Sequence, residues 1–474
     1  MPPGSAPAQP GPPDQPRPIV RVAHPGISLW QSAVREVAAD RMAGGNVKSP
    51  VVRAQPAVRH ADQYAHRRNQ AARGEAAPPA GGPVGELERI LKYVRHGMPG
   101  VVPETLAAWR AGRSYSERDP GFLIETTLRY IAWYWSGHHP VYRDWRVAGR
   151  GDPDFGVIEY RLPPQARIGL ISDWGTGMDD ARHLLEALLR LEPAVLIHLG
   201  DIYYAGTPRE DELHFAEVLN AAFRELGHRI PVFTIPGNHD YYSGAAGFYG
   251  LVDRLNEGTA KQAASYFCLR SEDGAWQFLG VDTGFNDRRP SARFDPYVPA
   301  PGLHASEEEW LRHKFQTFGG RTILLSHHPP FSAHRRLNGT RSGAPEPNFN
   351  SALYGAVQPY LDRVALWMWG HEHSLAIYQE GLHSVARGRL IGCSAFESET
   401  EDDPYEVRYA GAPFRQPLVR LSVEHGWYDH GFAIVDLAGA GATAGYYQFP
   451  SWSGPMPTPS PVPELLYREE LGDS

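Results

Sequence analysis

From Ile158 to Phe449 short apolar runs alternate with amphipathic stretches. Arg167–Ser172, Ala194–Leu199, Ile230–Ile235, Thr322–Ser326 and Val364–Trp369 are largely apolar on consecutive positions, the pattern of strands buried on both faces. After the first run, Asp179 and Asp180 open a helix with Ala181, Leu184, Leu185, Leu188 and Leu191 along one side. Glu210–Leu226 is also expected to be helical, and Ser306 with Glu309 reads as a capping box for a helix through Phe315. Tyr266–Leu269 and Trp276–Val281 flank Asp273-Gly274 and predict a hairpin; Phe432–Leu437 and Thr443–Phe449 read as closing strands. Strand–helix alternation followed by hairpins predicts the α/β (α+β) class, a two-layered sheet sandwich flanked by helices over residues 158–450.

The flanks have a different texture. Residues 1–84 are rich in Pro, Ala, Gly and Arg and predict a largely disordered arm, with one short helix over 29–42. Residues 85–157 read as a helical lead-in or cap, with Leu87, Ile90, Leu91 and Val94 and then Phe122, Leu123, Tyr130, Ile131 and Tyr134 at helical spacing. The aromatic run Trp133-Tyr134-Trp135 is expected to pack on the main domain rather than to form a substrate lip. Residues 451–474 read as a Pro/Ser-rich tail, loose over the Pro- and Ser-rich residues 450–463.

Composition narrows the partners. A formal net charge of −8 argues against nucleic acid, whose phosphate backbone is gripped by clustered Lys and Arg. No run of about 18 apolar residues spans a membrane, and the first residues lack the apolar core of a secretory signal. Two cysteines, Cys268 and Cys393, build no disulfide framework and fit a reducing, cytoplasmic location. Asn338-Gly339-Thr340 matches a glycosylation sequon and is expected to be an idle surface loop. A protein partner for the N-terminal arm is not identified by its sequence.

Five motifs follow predicted strand ends in order: Asp173-Trp174-Gly175, Asp201-Ile202-Tyr203-Tyr204, Gly237-Asn238-His239-Asp240, Ser326-His327-His328-Pro329 and Gly370-His371-Glu372-His373. Loops at the C-terminal ends of parallel strands converge on one sheet edge, so ligands distant in sequence can meet there. Oxygen and imidazole donors in this number suffice for two cations about 3.5–4 Å apart, with the Asp201 carboxylate as the natural bridge. His371 and His373 alternate in an extended segment and point the same way. His-His-Pro also occurs at 138–140, but only the second copy, at 327–329, ends a predicted buried strand.

In these motifs the chain resembles the calcineurin-like metallophosphoesterase superfamily over about residues 160–450. Gly175, where the superfamily usually has His, together with Tyr204 three residues after Asp201, looks like its purple acid phosphatase branch. The resemblance implies a four-layer α/β/β/α metallophosphoesterase sandwich, here with an N-terminal helical extension. It implies Asp173, Asp201, Tyr204 and His373 around an Fe(III), and Asp201, Asn238, His327 and His371 around a divalent ion such as Zn, Mn or Fe(II). His327 is preferred to His328 because the family's ligand stands two residues before a Pro. His239 would contact the phosphate with Asp240 orienting it, and His334 is an approximate match for the residue that protonates the leaving group.

The implied reaction is hydrolysis of a small phosphomonoester by attack of a metal-bound hydroxide. A phosphodiesterase acting, for example, on a cyclic nucleotide is the alternative, and a metal-binding scaffold the less favoured one. Branch members are commonly exported with disulfides, and this chain shows neither sign; Leu324 replaces the usual Val ahead of His327. The acidic stretch Glu397–Asp403 would repel polyanions if it lined the cleft, but such a run is expected to be a solvated loop.

Overall fold

The computed structural model describes residues 140–146, 156–288, 297–344, 346–396, 398, 400, 403–424, 427–451 and 460–472. The arm over 1–84, its helix at 29–42, the lead-in helices near 87–94 and 122–134 and the aromatic run at 133–135 lie outside these residues. The strands described are, in chain order, β1 (Val157–Leu162), β2 (Arg167–Ile171), β3 (Val195–His198), β4 (Val232–Thr234), β5 (Phe267–Ser271), β6 (Trp276–Val281), β7 (Arg321–Ser326), β8 (Val364–Trp369), β9 (Leu375–Ile377), β10 (Gly388–Ile391), β11 (Val423–Glu424), β12 (Trp427–Tyr428), β13 (His430–Ala438), β14 (Gly441–Phe449) and β15 (Glu464–Glu470). One sheet orders them β1-β5-β6-β7-β8-β10-β9, another β15-β14-β13-β2-β3-β4, and β11 and β12 pair separately.

Strand alternation builds the layers, since successive side chains leave a strand on opposite faces. Ile168 and Leu170 of β2 and Val195 and Ile197 of β3 join Phe278, Leu324, Leu366 and Met368 of the other sheet in one core between the sheets. Ile171 and Leu196 instead pack with Leu184, Leu188 and Leu219 beneath the helices Asp179–Leu189 and Glu217–Leu226. Gly169 makes this possible, because a Cβ there would collide with Leu188. Trp310, Leu311 and Phe315 of the helix Ala305–Gln316 lie against the seven-stranded sheet. The result is the expected α/β/β/α sandwich.

Local details depart from expectation. The helix Ala305–Gln316 is capped by His304, whose ring accepts the Ser306 N–H, rather than by Ser306. Residues 464–470, at the end of the tail, form a strand that no pattern announced: β15 pairs with β14, and its Glu469 holds the buried guanidinium of Arg389 through bonds of 2.8 and 2.5 Å. From the lead-in, Trp145 enters the core and donates to the Ser306 carbonyl (2.9 Å), while the Tyr142 hydroxyl donates to Glu307 (3.0 Å). Burial raises the Glu307 carboxyl well above its ordinary range and pushes neighbouring Asp282 up to about 6.

Two outcomes follow. Glu469→Ala strands the Arg389 charge and should cost about 3–5 kcal/mol in denaturant unfolding, whereas a loose tail would make it neutral. Asp282 holds its proton more tightly folded than unfolded, so the stability it contributes is complete below about pH 4 and is lost towards pH 6. Wild type should therefore lose about 1.4 kcal/mol per pH unit across that window relative to Asp282→Asn, and parallel pH profiles would contradict the assignment.

Candidate metal centre

β2, β3 and β4 run parallel, as do β6, β7 and β8, so their C-terminal ends lie on one edge of each sheet. Asp173 follows β2, Asp201 follows β3, Asn238 follows β4, His327 follows β7 and His371 follows β8. All five side chains meet between the sheets.

They form two adjoining clusters. In one, His327 Nε2 lies 3.4 Å from Asp201 Oδ2, 3.2 Å from Asn238 Oδ1 and 3.2 Å from His371 Nδ1, and the last two atoms are 3.1 Å apart. In the other, His373 Nε2 lies 3.4 Å from Asp173 Oδ1, and the Tyr203 hydroxyl is 2.9 Å from Asp173 Oδ1 and 3.0 Å from His373 Nε2. Ligand atoms of Asp173, Asp201 and His327 fall within 4.8 Å of one another, so the two clusters adjoin.

Hydrogen bonds outside the centre aim these donors inward. His327 Nδ1 faces the Leu199 carbonyl at 2.9 Å, so that nitrogen carries a proton and Nε2 is the atom aimed at the cluster. The Asn238 amide group donates to the Tyr242 hydroxyl (2.6 Å) and leaves its oxygen to the cluster. Asp173 Oδ2 accepts from the Ser172 hydroxyl (2.6 Å) and the His371 N–H (3.0 Å). A proton on His371 Nδ1 would relieve only one of the contacts in its cluster, whereas a cation satisfies all four donors.

The field asks for the same charge. Burial by itself would raise the Asp201 carboxyl and lower His327, yet their mutual attraction reverses both. Asp201 is held well below its ordinary range, and His327 is pushed up to about 9 by Asp201 and Asp173.

Backbone shape is committed to this arrangement. Asp173, Asp201 and His371 all take left-handed conformations, with φ of 54°, 72° and 70°. Such strain, about 1–3 kcal/mol per residue, persists where the surroundings over-determine it and clusters at functional sites. Gly175 explains the missing His of the first motif: it bridges to Ile202, and a Cβ there would sit 2.8 Å from the Ile202 backbone. At Gly370 a Cβ would strike Ser172 and the Asp173 carboxylate.

The phenol in the second cluster differs from the sequence expectation. Tyr203, not Tyr204, brings its hydroxyl to Asp173 and His373. Tyr204 is fixed through its backbone, its N–H on Glu210 (2.7 Å) and its carbonyl on His239 Nδ1 (2.5 Å). Glu210 also accepts the N–H groups of Ala205 and Thr207, and His214 Nδ1 takes the Tyr203 carbonyl, so the loop is pinned on both sides. This turn, not a regular repeat, decides where each ring points, and it brings the Tyr203 hydroxyl to Asp173 and His373.

Other expected residues are placed as follows. His239 lines the cavity over the centre, oriented by the Tyr204 carbonyl rather than by Asp240. Asp240 instead accepts the backbone N–H groups of Asp201 (3.0 Å) and Gly237 (2.7 Å), tying two ligand loops together. His334 lines the same cavity, with Nδ1 3.2 Å from the Glu406 carbonyl. His328 also has a ring nitrogen close to those of His327 and His371, but its Nδ1 lies 2.8 Å from Thr283 Oγ1 and its Nε2 3.3 Å from Asp287. Asn338 is not an idle surface residue: it is buried, accepts the Ala300 N–H and donates to the Glu346 and Phe349 carbonyls. Of the acidic stretch, Asp403 accepts the Tyr428 hydroxyl and lies 3.9 Å from Arg420. Among the described residues no member of that stretch lines the cavity.

A sheet-edge site whose donors demand cations, under an open cavity, defines a metal-dependent hydrolase. Residues 166–375 match the family model of the calcineurin-like phosphoesterases, and the chain carries a domain of that family. No curated protein matches it. Among solved structures it is similar to TT1561 of Thermus thermophilus (14% identity, TM-score 0.31, covering 50% of this chain and 93% of that one). It is also similar to Vacuolar Protein Sorting 29 from Cryptosporidium parvum (11% identity, TM-score 0.29, covering 65% and 99%). Both likenesses are too weak to bear on function.

Tyr203→Phe should weaken metal retention against a chelator by about 10–100-fold, while Tyr204→Phe should leave it within about twofold. The opposite ranking would restore the sequence expectation.

Proposed function

We propose that the chain is a phosphomonoesterase with a dinuclear metal centre, similar to the purple acid phosphatase branch. The two adjoining donor clusters, which meet where Asp173, Asp201 and His327 converge, support this reading most. Asp173, Asp201, Tyr203 and His373 would hold one ion; Asp201, Asn238, His327 and His371 would hold the other. Phenol and carboxylate are hard anionic donors and suit Fe(III), whereas amide oxygen, imidazole and a shared carboxylate suit Zn, Mn or Fe(II). When bound, the ions supply positive charge for the phosphate oxygens and lower the pKa of water.

The protein's own residues do the rest. Asp240 and the left-handed turns hold the ligand loops before substrate arrives, so little reorganisation accompanies the reaction. His239, with Nδ1 on the Tyr204 carbonyl, has Nε2 as its proton-transferring atom, and His334 lines the same cavity. Either can hand a proton to the leaving oxygen. Cys268 and Cys393 are buried and free, which fits a cytoplasmic location, and no described helix is long and apolar enough to cross a membrane.

Purified protein should hydrolyse p-nitrophenyl phosphate faster than bis-p-nitrophenyl phosphate, and Asp201→Asn should lower that rate by roughly 10²–10³-fold or more. A preference for the diester would reassign the chain as a phosphodiesterase. Full activity in Asp201→Asn would remove the hydrolase reading of this site.

A further inference from the structure

β6 ends at the same edge as β7, yet the turn that follows it, Asp282-Thr283-Gly284, supplies no side chain to either donor cluster. It reaches instead towards loops that do. Val281 pairs with Ser326, which sets the turn beside His327 and His328 of the seven-stranded sheet. Gly280 lies against Ile235, just past β4 of the six-stranded sheet, and a Cβ on Gly280 would come within 2.8 Å of the Ile235 side chain. The turn therefore stands between one ligand loop from each sheet.

Each of its residues makes a different contact. Asp282 Oδ2 accepts the Tyr241 hydroxyl (2.6 Å), and Tyr241 closes the helical turn Asn238–Tyr241 that carries Asn238. Thr283 Oγ1 accepts the His328 N–H (3.1 Å), part of the peptide unit joining His327 to His328, and lies 2.8 Å from His328 Nδ1. Gly284 sits on the residue before Asn238, so closely that a Cβ would collide with the Gly237 carbonyl.

The turn is itself braced from outside. Glu307 Oε1 accepts the Asp282 N–H (2.7 Å), and Glu307 Oε2 accepts the Tyr142 hydroxyl (3.0 Å). The Phe285 N–H donates to Asp282 Oδ1 (3.1 Å). Tyr241, Asp282, Thr283 and Glu307 are all buried, so sliding one loop against the other would break hydrogen bonds that water is not there to replace.

What the turn spans is the gap that matters for a metal. Asn238 Oδ1 and His327 Nε2 lie 3.2 Å apart, and backbone pairing within a sheet does not fix that distance, because the two residues follow strands of different sheets. Metal ligands have to be held to within about 0.5 Å by the groups behind them. We propose that Asp282, Thr283 and Gly284 are positioning residues: they set the Asn238–His327 spacing and thereby the retention of the ion held by Asn238, His327 and His371. This rests on the dinuclear reading and adds the residues that gauge one of its two sites. The turn acts through the loops on either side of it and takes no part in bond breaking.

Mn-loaded wild type, Asp282→Ala, Asp282→Asn, Thr283→Val and Glu469→Gln test it, each dialysed against a chelator and analysed for bound metal, with anomalous diffraction to show which ion remains. Wild type should hold both ions. Asp282→Ala and Thr283→Val should each weaken retention of the ion at Asn238 by about tenfold or more, and leave the ion beside Asp173 and His373 within about twofold. Asp282→Asn keeps an oxygen for the Tyr241 hydroxyl and should stay within about threefold of wild type for both. Glu469→Gln loosens the sheet edge at β15, away from the turn, and should leave both ions in place, which separates lost stability from lost positioning. Equal loss of both ions in Asp282→Ala, or full retention in Asp282→Ala and Thr283→Val, overturns the proposal. If Asp282→Ala does not fold, Thr283→Val, which keeps the side-chain volume, decides alone. Wild-type uptake separates the two levels: two ions in wild type with unchanged retention in the variants removes only this inference, and no uptake by wild type removes the metal-centre reading with it.

Discussion

Four ligand atoms from Asp201, Asn238, His327 and His371 are crowded together at 3.1–3.4 Å. Lone pairs at that separation repel unless positive charge sits among them. The raised pKa of His327 and the depressed pKa of Asp201 express the same demand, since the cluster by itself draws in a proton. A metal ion meets it better, because one cation contacts every donor at once. The rest of the sandwich serves to keep these atoms from drifting apart.

Parallel strands do most of that work. β2 and β3 of one sheet and β7 and β8 of the other end at the same edge, and the core between the sheets locks their register. Three ligand residues then turn through left-handed backbone, a cost met by burial and by hydrogen bonds such as those of Asp240 and Glu210. Glycines occur where a side chain would push ligand loops apart, at Gly175 against Ile202 and at Gly370 against Asp173.

Much of this was legible in the sequence. Consecutive apolar residues at 167–171, 195–198 and 364–369 announced two-sided burial, and the donors just beyond them announced the edge on which they meet. What sequence missed depends on turns and long-range pairing. Periodicity cannot decide between Tyr203 and Tyr204, because Glu210 and His214 set the turn from outside it. Asp240 looked like a partner for the neighbouring ring but reaches the Asp201 and Gly237 backbones. β15 follows a Pro- and Ser-rich stretch, and its reason for folding, the Arg389 guanidinium, lies 80 residues away. Asn338 resembled a glycosylation site because three letters do not report burial.

The central claim is that positive charge shared through Asp201 organises the site. Protein purified without chelator, analysed by metal-resolved mass spectrometry and by anomalous diffraction, tests this most directly. The account predicts about two metal ions per chain, one beside Asp173 and His373, the other among Asn238, His327 and His371, with Asp201 touching both. A fully folded, metal-free protein that takes up no ion on incubation with Mn, Zn or iron would contradict it.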